Sequence, residues 1–270
     1  NIKFTMHIFS DKVNDILKNM VPGLLGAGVW QINLLVDTYI CSYLPTGTIS
    51  CLNLADKLNQ FPLATFGTAL GTAMLPALSY AITNNDRSLV RKEFQSGFLY
   101  VSLFVCPAFV ALFSIPDAIV ATAFQRGAFG GIFVQITADA LRAFAIGLPF
   151  HVLTKIYASV FFAHKNTRSP TVYAVISVLS NVVFLILLVP FGKHYCVALS
   201  TSCAAVVNSI LLIIGVRMKY DIRLSSSFFR KLCAQLFAAA ITLYVAILIN
   251  DQLWCAEYGA SAIKWEYTIL

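Results

Sequence analysis

Seven stretches of this chain run for about twenty residues or more with few charges, and they constrain its fold more than any motif does. They cover approximately residues 20–43, 48–82, 94–115, 132–163, 170–190, 195–216 and 228–250. A hydrocarbon core about 30 Å thick is crossed by roughly 20 apolar residues of α-helix. Lipid offers no partner to an open backbone, so only helices or closed barrels can span it. These runs are too long and too uniformly apolar for barrel strands. Composition agrees: 59% of the residues are hydrophobic and 11% are charged, against about 25% charged in a soluble domain. The expected fold class is an all-α integral membrane protein with about seven transmembrane helices.

The second run is too long for one crossing and is expected to be interrupted at Pro62 and Pro76. Each proline removes a helix hydrogen bond. Pro22, Pro107 and Pro149 favour kinks in or at the ends of their spans. Residues 116–131 read as an outer connection. Gly67 and Gly71 form a GxxxG pair, which allows close helix packing.

The net charge of +7 would suggest nucleic acid in a soluble protein, but here the Lys and Arg residues fall in short loops between spans. Segments 1–19, 82–93, 163–169 and 217–231 carry thirteen of them; the intervening segments 43–49, 114–131, 190–196 and 251–270 carry three. By the positive-inside rule the N-terminus is expected in the cytoplasm and residue 270 on the outer side. No apolar signal segment precedes the first span. The chain opens on Asn1, and residues 265–270 look like the approach to another apolar run, so both ends read as cuts in a longer protein. The seven cysteines show no CxxC spacing and sit mostly in apolar runs as small hydrophobes. The four histidines form no metal constellation. No nucleophile–base pair or phosphate loop can be assembled, which points to a transporter rather than an enzyme.

The strongest chemical feature is on the second span. Asn53, Asp56, Lys57 and Gln60 follow i, i+3, i+4, i+7 spacing and fall within an arc of about 100°. Lys57 lies about 15 Å from the outer loop at 1.5 Å per residue. An ionisable group at that depth faces a partner or a polar cavity. Two readings stay open: an interhelical salt bridge, or one polar wall of a substrate cavity in which Lys57 attracts an anion. On the first span Asn33 and Asp37 share a face. With Asn181 in the fifth span and Thr201 in the sixth, they supply the oxygens that a hard cation needs; helix-bridging hydrogen bonds are the alternative. Asp139 and Arg142 are spaced to pair locally, and Lys155 either snorkels or lines a cavity.

At these residues the chain resembles a known family. Val21-Pro22-Gly23 leading to Gln31-Ile32-Asn33-Leu34-Leu35-Val36-Asp37-Thr38 is similar to the seventh helix of the MurJ (MviN) lipid II flippase family, within the multidrug/oligosaccharidyl-lipid/polysaccharide exporter superfamily. Leu54-Ala55-Asp56-Lys57-Leu58-Asn59-Gln60-Phe61-Pro62 and the run from Gly67 to Pro76 resemble the next helix. Phe124-Gln125-Arg126-Gly127-Ala128-Phe129 and the run from Phe161 to Pro170 match two loops in the same order. The likeness extends to about residue 250.

The resemblance implies fourteen helices in the whole protein, arranged as two six-helix lobes plus two helices that form a groove for a lipid tail. This chain would supply the second lobe and the thirteenth helix: 1–19 a cytoplasmic lead-in, 20–216 the six-helix lobe, 217–250 a cytoplasmic loop and the tail-groove helix, and 251–270 an outer segment. The first lobe would be a missing partner. The implied activity is alternating-access export of lipid II, the undecaprenyl-diphosphate-linked muropeptide of peptidoglycan synthesis, across the bacterial cytoplasmic membrane, with membrane lipid as the other partner. Lys57 stands where the family usually has Arg, so it keeps the charge and loses the bidentate fork; Gln60 replaces a common acid. The resemblance also implies a sodium site at Asp37, Asn181, Thr201 and the Val197 carbonyl, with Leu185 in place of a further acid. No other cofactor is expected. The alternatives are a flippase or exporter of another polyprenyl-linked glycan, and an inactive structural membrane fragment.

Overall fold

The computed structural model describes residues 28, 31, 33–43, 45–127, 129–188, 190, 194–220 and 226–257. Among these there are helices and no strands. Residues 33–41 form the described part of the first helix, α1. It is followed by α2 (Thr48–Pro62), a π-helical turn (Leu63–Thr68), α3 (Ala69–Thr83), α4 (Arg87–Ser114), α5 (Pro116–Phe124), α6 (Gly131–Ala163), α7 (Arg168–Leu188), α8 (Cys196–Tyr220) and α9 (Ser226–Glu257). The chain is an all-α membrane protein. Among the described residues, five units have the length and apolarity to cross a bilayer: Thr48–Thr83, α4, α6, α7 and α8. Much of the expected first span lies outside the described residues. The expected seventh falls within α9, whose apolar centre is Cys233–Thr242.

The expected interruption at Pro76 does not occur, and at Pro62 the α-helix gives way to a π turn without the helical run ending. Thr48–Thr83 is one helical run of 36 residues, with Pro76 inside α3 and the wider π turn directly after Pro62. A helix in lipid cannot simply stop, because its freed carbonyls would have no partner. Threonine hydroxyls meet carbonyls through the same stretch: Thr65 Oγ1 donates to Phe61 O at 2.8 Å, Thr68 Oγ1 to Ala64 O at 2.5 Å and Thr72 Oγ1 to Thr68 O at 3.0 Å.

The charged lead-in of the third span is the start of α4 itself. The Asp86 carboxylate caps it by accepting from Ser88 N and Leu89 N, both at 3.0 Å. These bonds hold the Asp86 carboxyl below its ordinary range, the Leu89 N–H bond contributing most. Residues 116–131, expected as an outer connection, contain a helix that hydropathy does not announce. Pro116 opens α5 and Asp117 sits in its first turn, where a fixed φ and a negative charge both favour helix initiation.

The central helix is α6, which packs against α8, α2, α4, α3 and α5. It buries 56% of its apolar window, against 17% for α7, which leaves most of its surface to lipid. Small residues allow this crowding. A Cβ added to Gly147 would lie 2.6 Å from Ser202 Oγ and 2.9 Å from Ser202 Cα, so α8 approaches α6 at that point too closely for a side chain. The GxxxG pair also faces α6, Gly67 against Val152 and Gly71 against Lys155. Helix α9 lies along α4. A polar clamp holds it there: Gln235 Nε2 donates to Leu99 O at 3.0 Å, and Ser102 Oγ donates to Gln235 Oε1 at 2.5 Å.

Candidate substrate and cation site

Helices α1, α2, α6, α7 and α8, with the π turn, line a partly open cavity of about 540 Å3. Its polar lining comes from every helix: Asn33 on α1, Asp56, Asn59 and Gln60 on α2, His151, Thr154 and Lys155 on α6, Ser177 and Asn181 on α7, and Thr201 and Asn208 on α8. Phe144, Leu63 and several alanines complete the wall. A polar cavity at membrane depth is where an integral membrane protein handles a polar cargo or ion.

The four residues grouped on α2 by their spacing divide between two faces. Cys51, Leu52, Ala55 and Asn59 are buried, so they mark the side of α2 packed on the bundle. Asp56, half-buried, turns toward the cavity and accepts a hydrogen bond from Gln60 Nε2 at 2.5 Å; both residues line it. Asn53 and Lys57 are exposed and are not among the lining residues. On the helix Asn53 lies about 60° and Lys57 about 100° from Asp56, while Gln60 falls between Asn53 and Asp56 and reaches the cavity beside Asp56 through their hydrogen bond. Among the described residues Lys57 has no carboxylate within ion-pair distance. The salt-bridge reading therefore finds no partner there, and the ammonium stands on the open side of the bundle about 15 Å along the helix from its N-terminal end.

The candidate cation residues form two groups. Asn181 Nδ2 donates to Asn33 Oδ1 at 2.7 Å and to Asp37 Oδ1 at 3.2 Å, while Asn33 Nδ2 donates to Asp37 Oδ2 at 3.1 Å. This triangle ties α1 to α7. Separately, Thr201 Oγ1 donates to Val197 O at 3.0 Å. Asn181 and Thr201 line the same cavity. Leu185, one turn beyond Asn181, is fully buried.

Among the described residues, four buried side-chain oxygens at the cavity lack a protein partner: Asn59 Oδ1, Thr154 Oγ1, Asn181 Oδ1 and Asn208 Oδ1. Orphaned acceptors of this kind are met by water, a cation or a ligand donor. With the Asp37 carboxylate bonded to Asn181 and the Asp56 carboxylate on the cavity wall, the donor set is hard oxygen with two carboxylates. That set fits a sodium-like ion and suits neither zinc nor copper. Among the described residues no three His, Cys, Asp or Glu side chains converge on one point.

The α2 spacing did not reveal what α6 contributes. His151, Thr154 and Lys155 repeat the i, i+3, i+4 spacing seen on α2, and that pattern was the available signal. Asn59 was passed over although it stands three residues from Asp56. The Asp139–Arg142 pair forms at 3.5 Å and belongs to a larger network, with Arg142 to Asp117 at 2.6 Å and His194 Nε2 to Asp139 at 3.3 Å. None of its members lines the cavity.

A bundle of this shape with a polar cavity inside the lobe defines a helical membrane-transporter fold. In structure the chain is similar to a multidrug resistance MATE family transporter of the MOP superfamily, at a TM-score of 0.64 and 15% identity, covering 99% of this chain and 63% of that one. That likeness concerns the fold alone. The family model described as "Lipid II flippase MurJ" matches residues 2–267, and the chain belongs to that family. It is 36% identical over 245 residues to the probable lipid II flippase MurJ of Haemophilus influenzae, covering 86% of this chain and 48% of that protein. To the lipid II flippase MurJ of Burkholderia cenocepacia it is 36% identical over 248 residues, covering 90% and 46%. The solved structure titled "Lipid II flippase MurJ, inward closed conformation" superposes at a TM-score of 0.75 and 26% identity, covering 93% of this chain and 50% of that one. The chain spans about half the length of the curated relatives it matches.

Proposed function

We propose that this chain forms one lobe of a lipid II flippase, with Lys57 and Asn53 on the wall that meets the cargo. The observation that carries the reading is the exposure of Lys57: a cation deep along a membrane helix, unpaired among the described residues, on the side of α2 away from the bundle core. A second lobe, of the kind that makes up the rest of the relatives' length, would close over that face. The enclosed ammonium would attract the cargo's diphosphate, and rocking of the two lobes about this face gives alternating access. The Lys- and Arg-rich composition of residues 82–93 and 163–169 supports a cytoplasmic position for them. The cavity inside the lobe is then a separate ion site. Asp37, Asn181, Thr201 and the Val197 carbonyl hold sodium there, and Asp56 and Gln60 form its wall toward the cargo side.

The test is a chimera in which this chain replaces the matching half of the Burkholderia cenocepacia relative, expressed in cells depleted of their own flippase. Growth and lipid II export support the proposal. Membrane insertion without export of lipid II would indicate a different polyprenyl-linked cargo or a structural role.

A further inference from the structure

A second cleft, of about 560 Å3, lies at the end of the bundle where α3, α6 and α8 finish and α4 begins. Arg87, Arg91, Lys219 and His164 line it, with Tyr220 and the αL residue Asn85 as parts of its wall. Arg87 and Arg91 are one helical turn apart, so their side chains share a face of α4. Both are exposed, and among the described residues neither has an ion-pair partner. Lys219 is held by a 2.7 Å hydrogen bond from Nζ to Ser169 Oγ, a neutral partner that leaves its charge uncompensated. The His164 ring stacks on Tyr220 with 3.7 Å between centroids, and its Nδ1 bonds Val160 O at 2.8 Å. That arrangement assigns the hydrogen to Nδ1 and leaves Nε2 unengaged.

One acid, Asp86, also lines the cleft. Its carboxylate is committed to the Ser88 and Leu89 amides and the Ser88 hydroxyl. The same bonds use the free amides at the start of α4, so an anion here would be bound by side chains rather than by the helix end. Three cations against one committed carboxylate leave the cleft net positive. Guanidinium groups match the geometry of phosphate oxygens, and basic pockets between transmembrane helices on the cytoplasmic side suit lipid phosphates.

We propose that this cleft is a phosphate-binding site, separate from the transport face and independent of the transport reading. Its ligand chemistry is a phosphate oxyanion, carried either by a membrane lipid headgroup or by a soluble compound. The test uses the purified full chain in neutral detergent at low ionic strength, with two probes: inorganic pyrophosphate, and mixed micelles containing phosphatidylglycerol, with phosphatidylcholine as control. The double variant R87Q/R91Q is expected to weaken binding of the effective probe by about tenfold or more, and Lys219→Gln to weaken it in the same direction. Lys92→Gln, on α4 but outside the cleft, is expected to change it by no more than roughly twofold. Binding of phosphatidylglycerol alone assigns the site to lipid, and binding of pyrophosphate assigns it to a soluble ligand; either supports the cleft. Failure of both probes to bind the unaltered chain, or an equal loss in Lys92→Gln, overturns it, the latter by showing a diffuse surface-charge effect.

Discussion

Asn181 joins more of the proposed ion site than any other residue. Its amide spans α1 and α7, and its carbonyl oxygen faces a cavity with no protein donor. An ion placed there would compete with the Asn181 amide for the Asp37 carboxylate, so the two residues act together. Asp37→Asn removes the only formal charge among the proposed sodium ligands and is expected to abolish any sodium-dependent rise in the thermal midpoint of the purified protein. Leu185→Asp makes the opposite test. A carboxylate at this fully buried position is expected to destabilise the protein by about 1–3 kcal/mol or more without sodium. Sodium should recover more stability in that variant than in the unaltered chain, and equal sodium responses would contradict the assignment. At the end of α4, Asp86 has a depressed folded-state pKa. Its cap is therefore fully present above the unfolded carboxylate range and is lost as pH falls through the folded value. Asp86→Ala should lower the thermal midpoint at neutral pH, and the difference should fade as the solution is acidified below pH about 4.

Elements follow from the sequence where a single physical rule governs them, and depart from it where two compete. The apolar runs located α6, α7 and α8 to within a few residues, and α4 apart from its charged first two turns, because lipid demands continuous helix. The same demand overrode Pro62, which in water would end a helix and here opens a π turn supported by Thr65 and Thr68. Helix α5 was hidden because nine residues make no transmembrane signal. Its cue was chemical, in Pro116 and Asp117. The polar arc on α2 was legible, but its division between two faces was not, since spacing reports which residues share a side and not what covers that side. The close contact of α6 with α8 predicts that Gly147→Val destabilises the protein by about 1–3 kcal/mol, seen as a lower thermal midpoint with unchanged helicity. The Gln235 clamp predicts that Gln235→Leu raises amide exchange in α9 while α6 and α8 keep their protection. Loss of protection throughout the bundle would show instead that α9 is integral to the core.

On the scale of the molecule, the proposed function gives two polar regions different ends. The inner cavity is lined by amides and hydroxyls, with Asp56, His151 and Lys155 among them, and suits a small ion. The open face of α2 carries a cation that no described residue neutralises, and suits a large anionic cargo shared with a second lobe. Family membership sets the expected cargo, and Lys57 is where this chain would meet it. The decisive measurement is lipid II translocation in liposomes by the chimera with the Burkholderia cenocepacia relative, comparing Lys57 with Lys57→Arg and Lys57→Ala at equal reconstitution. The account predicts that Lys57→Arg translocates at a rate comparable to the unaltered chimera and that Lys57→Ala loses at least about tenfold. Unchanged translocation by Lys57→Ala would contradict it.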